Sequence, residues 1–431
     1  MSTPKEEIDR LRKEAYLLME QGNIEEVEAY NEEALVLYRR ALQIYQRIND
    51  SKGVVEAHQK IAEVFRSQGK YDKALLALEQ ALDLLEEKDF LLRAKVYSSI
   101  GKVDESRGAY KQALERHKKS VEINRSIENR IGEGEGLGNL ANICMFLGQS
   151  ERAIQYYKQA ISIAREVGHK RNEGINLANL GIMYQSLAQY KQAIEHYQLS
   201  LDIAKEIGDR KSKKQNLGNI GIVLDNLGEY ERAIKYYNKA IALCREIGDK
   251  KSEGINLGNL GLSCKNLGDY EQALEYFNRA IEVVSQSGNQ RAMGIFHGNR
   301  GDVLIKMERW TEAEDSVSKA IAIFKDIKFG MGLGVFRGSM AIIYAHQNKL
   351  ALALEMLTKG ERLVSGYPWE YGKFLCKKAL VLNVAKDTEQ AHKSVLQAEQ
   401  IVQGIELKDS PELTKRIKEI KILLSREADA T

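Results

Sequence analysis

The sequence is poor in proline and has no long apolar run. Only three prolines stand against 34 glycines in 431 residues, so helices must end at glycines and capping residues. No segment approaches the roughly 18 consecutive apolar residues of a membrane span. The N-terminal stretch MSTPKEEIDRLRKE also lacks the apolar centre of a secretion signal. We therefore expect a cytoplasmic protein that inserts no segment into a membrane.

Cysteine is scarce as well, and the four cysteines form no recognisable pair. Cys144, Cys244, Cys264 and Cys376 show neither a Cys-x-x-Cys motif nor the cysteine–histidine spacing of a zinc site. Free cysteine is often buried, and disulfide bonds are rare in reducing compartments. We predict that Cys144 and Cys264, which stand in similar apolar surroundings, are small core residues in a reducing compartment.

The chain lacks a charge excess and the motifs of known catalytic sites. Its 64 lysines and arginines nearly balance 61 aspartates and glutamates, and a net charge of +3 does not favour nucleic acid or an anionic membrane as partner. The seven histidines form neither an HExxH motif nor a plausible metal pair, and no GxSxG motif or phosphate-binding loop is present. We expect no catalysis, no cofactor and no metal.

Internal repetition is the dominant feature that the sequence does have. Between Asn172 and Arg291 three strings follow one another with a period of forty: NLANLGIMYQSLAQYKQAIEHYQLSLDIAKEIGDRK, NLGNIGIVLDNLGEYERAIKYYNKAIALCREIGDKK and NLGNLGLSCKNLGDYEQALEYFNRAIEVVSQSGNQR. A fixed period of roughly 20 to 50 residues is typical of solenoids, in which each unit buries its apolar face against its neighbours.

Each forty-residue repeat is predicted to contain two helices. In the third string the apolar positions of a first helix recur at i, i+3, i+4 and i+7, and those of a second helix follow a Gly-Asp-Tyr break. These positions are Leu257, Leu260, Gly261 and Cys264, then Ala273, Phe277 and Ala280. The pairs Gly208-Asp209 and Gly248-Asp249 predict a left-handed glycine cap followed by an N-cap aspartate.

These residues resemble the tetratricopeptide repeat, a helix–turn–helix unit. The pattern is carried by Asn259-Leu260-Gly261, Gly268, Tyr270, Ala273, Phe277 and Ala280. The forty-residue spacing and the IGDR and IGDK links are similar to those of the long-helix subclass typified by the LGN/Pins polarity adaptors. The resemblance implies an all-α fold, a right-handed α-solenoid of helical hairpins, and groove asparagines that hold an extended peptide.

One alanine near the start of each second helix tracks the repeats. It recurs at intervals of 38 to 40 residues, which predicts about ten hairpins. The series is Ala34, Ala74, Ala113, Ala153, Ala193, Ala233, Ala273, Ala313, Ala353 and Ala391. In the first repeat we expect a turn at Gly22-Asn23-Ile24. About seven extra residues around Glu28 to Glu33 are expected to lengthen a helix by nearly two turns.

The repeats are predicted to fill residues 1–405, and residues 406–431 to form a capping helix and tail. Ser410-Pro411 supplies an N-cap and a proline at the first helical position. The helix expected from Glu412 to Arg426 would close the exposed end of the solenoid. Its apolar residues at helical spacing are Leu413, Ile417, Ile420 and Leu424.

A line of residues on each first helix points away from the core and, by the resemblance, towards a concave groove. In one repeat the line is Ile255, Asn259, Leu262 and Asn266, spaced i, i+4, i+7 and i+11. One asparagine of the line recurs at intervals of forty, and we call its five copies the asparagine ladder: Asn139, Asn179, Asn219, Asn259 and Asn299. The other predicted groove residues are Asn142, Ile182, Ile222, Asn226, Leu262 and Asn266.

Two interpretations of the asparagine ladder are open. A side-chain amide carries both donors and an acceptor, so the ladder would pair with a peptide backbone whatever its side chains. Alternatively, the asparagines form hydrogen bonds to the adjoining helix and so join neighbouring repeats, or they are copies left by recent duplication.

Glycines near the ladder bear on this choice. A glycine usually precedes the ladder asparagine, and mid-helix glycine costs about 1 kcal/mol, which favours close approach by a ligand. These glycines are Gly138, Gly218, Gly258 and Gly298. The glycines three positions later, such as Gly221 and Gly261, are predicted to let the second helix pack tightly on the first.

A second candidate site lies at the end of the ladder. Arg300 replaces the leucine found at Leu260, which is costly in a core unless the guanidinium is paired or reaches solvent. One interpretation is a local, salt-bridged irregularity. The other is a charged recognition pocket formed by His297, Arg300, Asp302, Lys306 and Arg337.

The leading functional hypothesis is a non-catalytic adaptor that binds an extended or helical peptide segment of a partner protein in its concave groove. The alternative is a peptide-pheromone receptor of the quorum-sensing type, because such receptors also use tetratricopeptide grooves with asparagines. A regulatory subunit of an enzyme complex comes third. We expect a monomer whose partner is another protein or a peptide.

Overall fold

The computed structural model of the chain describes residues 4–27, 31–404 and 411–428. These residues form 21 α-helices and no β-strand, so the predicted all-α class is confirmed. The helices are α1 (Pro4–Val27), α2 (Asn31–Arg47), α3 (Ser51–Ser67), α4 (Tyr71–Asp83), α5 (Phe90–Ser106), α6 (Tyr110–Ser126), α7 (Arg130–Phe146), α8 (Ser150–Glu166), α9 (Lys170–Ser186), α10 (Tyr190–Glu206), α11 (Arg210–Asn226), α12 (Tyr230–Glu246), α13 (Lys250–Leu267), α14 (Tyr270–Gln286), α15 (Gln290–Lys306), α16 (Trp310–Asp326), α17 (Gly330–His346), α18 (Leu350–Val364), α19 (Pro368–Val384), α20 (Thr388–Gly404) and α21 (Pro411–Ala428).

The first 20 helices follow one another as first and second helices of ten repeats, and α21 comes last. The fourth residue of every second helix is the alanine of the forty-residue series, and all ten of these alanines are fully buried. Because alanine has no side chain beyond Cβ, neighbouring helices can approach closely at this position. The prediction of about ten helical repeats is confirmed.

The chain divides into two compact units, Met1–Met183 and Tyr184–Thr431, and the boundary falls within α9. In the first unit one apolar cluster is built from α1 to α5. In the second unit one cluster joins α17, α18 and α19, and another joins α19, α20 and α21. The boundary predicted between residues 405 and 406 lies outside the described residues.

Glycine in the left-handed conformation ends many of the helices. Gly248 has a φ of 73°, and the Asp249 carboxylate accepts a hydrogen bond of 3.0 Å from the Ser252 backbone N–H. The Gly208-Asp209 turn has the same geometry. A positive φ strains any residue that carries a Cβ, so glycine is favoured at this position. The predicted glycine cap and aspartate N-cap are confirmed.

Other glycines lie inside the first helices, where the second helix of the same hairpin comes closest. A Cβ on Gly221 would lie 2.5 Å from the Tyr237 ring, and a Cβ on Gly261 would lie 3.1 Å from the Phe277 ring. In this close-packed core a methyl group at Gly221 would overlap the Tyr237 ring, and one at Gly261 would press tightly against the Phe277 ring. The predicted packing role of these glycines is confirmed.

In the first repeat the predicted turn at Gly22-Asn23-Ile24 is wrong. Helix α1 continues through these residues and is 24 residues long, against 17 for α2. A Cβ on Gly22 would lie 2.4 Å from the Tyr38 ring, so this glycine has the packing role of Gly221. Part of the predicted insertion, residues 28–30, lies outside the described residues.

Helix α21 packs its apolar residues against α19 and α20. Leu413, Ile417, Ile420 and Leu424 are each at most 5% exposed and join the cluster of the last hairpin. This helix therefore covers apolar surface of α19 and α20 that would otherwise face solvent.

Candidate functional site

The second unit holds a cavity of about 470 Å³ on the side formed by its first helices. Residues of α11, α13, α15, α17 and α19 line it, and residues of α21 close one side. At this position Lys415 of α21 donates a hydrogen bond of 3.3 Å to the Asn266 carbonyl of α13. The Lys306 ammonium of α15 lies 4.0 Å from the Glu419 carboxylate of α21.

Six of the predicted groove residues line this cavity. They are Ile222, Asn226, Asn259, Leu262, Asn266 and Asn299. Asn219, on α11, is half-buried but does not line the cavity. The remaining predicted groove residues belong to the first unit, where they are half-buried on α7 and α9: Asn139, Asn142, Asn179 and Ile182.

The side chains of the asparagine ladder make few bonds to the rest of the protein. Within the described residues, only Asn179 has a side-chain hydrogen bond, a long one of 3.4 Å from its Nδ2 to Asn142 Oδ1. Asn142 also accepts a hydrogen bond of 2.5 Å from the Tyr157 hydroxyl. No described side-chain hydrogen bond of Asn219, Asn259 or Asn299 therefore supports the interpretation that the ladder joins neighbouring repeats.

The glycines before the ladder have a structural explanation, so the inference that they make room for a ligand is wrong. A Cβ on Gly258 would lie 2.0 Å from the Phe296 ring of the next first helix, and a Cβ on Gly298 would lie 2.2 Å from the Phe336 ring. A Cβ on Gly138 would lie 2.7 Å from Asn176 Oδ1. These glycines make room for the neighbouring repeat.

The five residues predicted to form a charged pocket do not lie together, and that prediction needs correction. Arg300 donates a hydrogen bond of 3.2 Å to Ser316 Oγ, which in turn donates 2.9 Å to the His297 carbonyl, so both residues face α16. Arg337 donates 3.3 Å to a carbonyl of α18. Lys306 is more than half exposed near α21. Asp302 alone of the five lines the cavity.

Asp302 is held by a buried ion pair with Lys377 of α19. The Lys377 ammonium lies 3.1 Å from Asp302 Oδ2 and donates 2.6 Å to Ser339 Oγ. Burial acts to raise the pKa of Asp302, but Lys377 and Lys265 outweigh it and hold that pKa below its usual value. Asp302 therefore remains ionised in the folded protein at neutral pH.

Asp225 forms another buried polar point of the cavity wall. Its carboxylate accepts hydrogen bonds of 2.7 Å from the Tyr237 hydroxyl and 2.6 Å from Ser263 Oγ. Burial nevertheless raises the pKa of Asp225 to about 6, because removal from water disfavours the charged form more than these bonds favour it.

Sequence reasoning missed the contribution of α19 and α21. The Glu412 carboxylate of α21 lies 2.7 Å from Arg416, 3.4 Å from Lys373 and 4.0 Å from Lys265. Burial acts to raise the pKa of Glu412, but these cations hold it well below its usual range. Lys265 follows Leu262 by one helical turn, so the spacing of the predicted line could have included it. No local signal places Glu412 beside α13.

The family of the chain follows from this repeat structure and from sequence comparison. The sequence matches a tetratricopeptide repeat model over residues 14–87, 132–206 and 214–286, and a second such model over residues 259–326. The chain belongs to the tetratricopeptide repeat family. The LGN/Pins subclass stays a prediction. No curated protein matches the sequence significantly.

Several solved structures share the fold at low sequence identity. The apo form of RapI aligns with a TM-score of 0.61 at 16% identity, over 83% of this chain and 97% of RapI. The quorum sensor NprR from B. thuringiensis, in its apo form, aligns at 0.54 and 17% identity, over 79% and 99%. A signal transduction ATPase with a tetratricopeptide repeat sensor, PH0952 from Pyrococcus horikoshii, aligns at 0.60 and 18%, over 78% of this chain and 52% of that one.

Three general features of the described residues complete the site's description. None of the helices among them has both the length and the apolar character needed to cross a membrane. In residues 4–27, 31–404 and 411–428, no group of three or more histidine, cysteine, aspartate or glutamate side chains is placed to hold a metal ion. The four cysteines are free and buried.

Proposed function

We propose that this chain is a non-catalytic binding protein that holds a peptide segment in the cavity of its second unit. One observation carries the proposal: the Asn259 and Asn299 side chains line the cavity, and neither makes a side-chain hydrogen bond within the described residues. A half-buried amide without a protein partner has both donors and an acceptor available to a ligand.

The surroundings of these amides suit a peptide. Leu262 and Ile295 lie beside Asn259 and Asn299 in the cavity wall and offer apolar contacts to side chains of the ligand. Polypeptide backbone presents one N–H donor and one carbonyl acceptor per residue, which the amide of asparagine can match pairwise. A site with a few fixed polar groups in an apolar wall is typical of ligand pockets.

The ligand is either a segment of a partner protein or a free peptide. The adaptor hypothesis predicts a segment embedded in a longer chain. The receptor hypothesis predicts a short peptide with free ends, and it gains some support because the similar structure of NprR is that of a quorum sensor. The monomeric state and the cytoplasmic location stay predictions.

Selection from a displayed library of random nine-residue peptides tests the proposal. Peptides selected on the wild-type protein are synthesised, and their dissociation constants are measured for N259A/N299A. Each lost hydrogen bond contributes about 0.5–1.5 kcal/mol, so the double variant should bind roughly 5- to 150-fold more weakly. Selection of no peptide, or unchanged affinity for N259A/N299A, would overturn the proposal.

A matched control is available on the second helices. Asn238 and Asn278 are exposed on α12 and α14, away from the cavity. The double variant N238A/N278A removes the same two amides from helices and should bind selected peptides as the wild type does. Both double variants should keep the wild-type melting temperature or exceed it, since alanine is the better helix former.

The need for free peptide ends distinguishes a free peptide from a segment of a partner protein as the ligand. Each selected peptide is compared with its N-acetylated, C-amidated form. A receptor for free peptides should bind the capped form at least tenfold more weakly, whereas an adaptor for internal segments should bind both forms alike.

A further inference from the structure

The third hairpin of the first unit, formed by α5 and α6 (residues 90–126), has polar residues in its core, and we call it the polar hairpin. Four polar side chains at core positions are each at most 4% exposed. They are Asp104, His117, Ser120 and Asn124, where the next repeat has Cys144, Tyr157, Ala160 and Ala164. Packing within the polar hairpin therefore relies less on apolar burial than packing within the hairpin that follows it.

The polar hairpin also lies where one apolar cluster ends and another begins. Val96, Ile100 and Val103 of α5 belong to the cluster built from α1 to α5. Val121 of α6 belongs instead to a cluster with residues of α7 and α8. Packing of α5 on α6 therefore joins these two apolar clusters of the first unit.

Two of the polar core residues have hydrogen-bond partners inside the hairpin, but His117 has none. Ser120 Oγ donates 2.8 Å to the Ala94 carbonyl, and Asn124 Nδ2 donates 2.9 Å to the Ser120 carbonyl. The His117 ring is fully buried, and neither of its nitrogen atoms makes a hydrogen bond to any described residue. Burial of an unpartnered ring costs far more when the ring is charged than when it is neutral.

The next repeat shows what His117 replaces. Tyr157 occupies the same position, and its hydroxyl donates a hydrogen bond of 2.5 Å to Asn142 Oδ1. In the polar hairpin the position of Asn142 is held by Lys102, whose ammonium cannot accept a hydrogen bond. The ring is also tightly packed, since a Cβ on Gly101 would lie 2.7 Å from it. A protonated His117 would thus find no acceptor at the position that binds the tyrosine hydroxyl.

Charged groups on α5 do not stabilise a protonated His117. Burial lowers the pKa of His117 to about 4, and the Lys102 ammonium acts in the same direction. The Asp104 carboxylate is paired with Arg107 at 2.8 Å. Glu105 interacts electrostatically with Lys102 and with a cation of α3.

Charged groups of α7, which also packs against α6, and of α6 itself are engaged elsewhere. The Glu133 carboxylate of α7 lies 2.9 Å from Arg125, which follows His117 by about two helical turns. On α6, Glu115 is paired with Lys118 at 2.8 Å. Among the described residues, no carboxylate therefore raises the pKa of His117.

We infer that the polar hairpin is an acid-sensitive joint, which opens locally when His117 takes up a proton and so separates the apolar cluster of α1 to α5 from that of α6 to α8. The closed hairpin requires a neutral ring, whereas an opened hairpin gives the charged ring water as a hydrogen-bond partner. The first unit thereby gains a conformational response to pH. This inference goes beyond the peptide proposed for the second unit and does not depend on it.

The direction of the pH effect follows from the lowered pKa of His117. In the open hairpin this residue titrates near the ordinary value of 6.5, and in the closed hairpin near 4. The stability that neutral His117 provides is therefore complete above pH 6.5 and is lost as the pH falls towards 4. Relative to pH 8, the ratio of open to closed hairpin should rise roughly tenfold at pH 5.5 on account of His117.

Two carboxyl groups of α5 act in the opposite direction. Burial raises the pKa of Asp104 above the ordinary 3.8 and that of Glu105 above 4.5, so both groups bind a proton more tightly in the closed hairpin. Comparison of the wild type with H117F cancels their contribution, because H117F keeps both carboxyl groups.

Hydrogen exchange measured by mass spectrometry from pH 8 to pH 5.5, corrected for intrinsic exchange rates, tests the inference. Over this range the wild type should lose roughly tenfold more protection in residues 90–126 than H117F does. The α7–α8 hairpin contains no histidine and should respond equally in both proteins.

Both test variants copy other repeats and should fold. Phe277 occupies the position of His117 in a later repeat, and Leu78 occupies it in the preceding hairpin, where it is fully buried. H117L therefore serves as a second variant beside H117F, and melting temperatures at pH 8 check that both are folded. The matched control H392F makes the same substitution at an exposed position of α20 and should respond to pH as the wild type does.

Three outcomes would overturn the inference. The first is an equal pH response of the wild type and H117F in residues 90–126. The second is a loss of protection confined to α3, where His58 is also buried without a hydrogen bond to any described residue. The third is a uniform loss over the whole first unit, which would indicate global unfolding rather than local opening.

Discussion

Lys377 and Asp302 are 75 residues apart in sequence, yet their side chains are paired at 3.1 Å across three first helices. Lys377 extends from α19 and Asp302 from α15, and Ser339 of the intervening α17 donates 2.6 Å to Asp302. The two charged side chains are only 9% and 16% exposed. Asp302, predicted as a recognition residue, is thus committed to holding consecutive repeats together.

The first prediction concerns this pair. Loss of one partner leaves a buried charge uncompensated, so K377M and D302N should each destabilise the protein by about 3–5 kcal/mol. The double variant K377M/D302N should recover a large part of that loss. Urea denaturation of the single and double variants measures the coupling. K319M, which breaks the exposed pair Lys319–Asp315, should cost less than about 1 kcal/mol.

A second prediction tests the structural explanation of the ladder glycines. G258A places a Cβ 2.0 Å from the Phe296 ring, and we expect it to destabilise the protein by about 1–3 kcal/mol despite alanine's higher helix propensity. G218A places a Cβ 3.1 Å from Asn256 Oδ1, a much longer approach than that in G258A, and should cost less than about 1 kcal/mol. Equal melting temperatures of the two variants would contradict this explanation.

A third prediction concerns α21 as a structural element. Ile420 is 5% exposed against α19 and α20, whereas Ile422, two residues later, is 45% exposed. I420A should cost about 2–4 kcal/mol and promote fraying of the last repeat, while I422A should cost well under 1 kcal/mol. Hydrogen exchange of α19 and α20 measures the fraying. Equal protection in both variants would show that α21 does not stabilise them.

A fourth prediction follows from the raised pKa of Asp225. The folded-state pKa of about 6 lies above the usual 3.8, so the folded protein binds this proton more tightly than the unfolded chain. The contribution of Asp225 to stability is therefore greatest below pH 4 and is lost as the pH rises through 6. The side chain of D225N does not titrate. As the pH rises from 4 to 7, the free energy of unfolding of D225N should therefore increase by roughly 1–3 kcal/mol relative to that of the wild type.

Melting temperatures across this pH range check the fourth prediction. D326N, which alters an exposed aspartate of α16 in the same unit, provides the control and should follow the wild type at every pH. A constant difference between D225N and the wild type from pH 4 to pH 7 would show that Asp225 does not titrate in this window.

Much of the fold could be predicted from the sequence because it is encoded locally. The forty-residue period, the buried alanine series and the Gly-Asp caps each depend on residues within one or two helical turns of each other. The helix predicted from Glu412 to Arg426 is present as α21 for the same reason. The first repeat differs from its prediction because a packing glycine inside a helix, such as Gly22, and a glycine in a turn look alike in sequence.

The candidate site was predictable only in part. Helical spacing placed Asn259, Leu262 and Asn299 on one face of their helices, and all three line the cavity. The same spacing could not show that His297 faces α16 while Asp302 lines the cavity, because nearby residues of one helix contact different neighbouring helices. Which face meets a second helix, a neighbouring repeat or a cavity depends on packing that one repeat does not contain.

The sequence by itself determined the helices, their order and the line of asparagines, because backbone hydrogen bonding and periodic burial act over short separations. Only the tertiary structure decided that Lys415 of α21 reaches the Asn266 carbonyl of α13, that Gly258 faces Phe296, and that Glu412 lies 4.0 Å from Lys265. These contacts join residues about 40 to 150 positions apart, and their formation depends on the combined geometry of several packed helices rather than on any local signal.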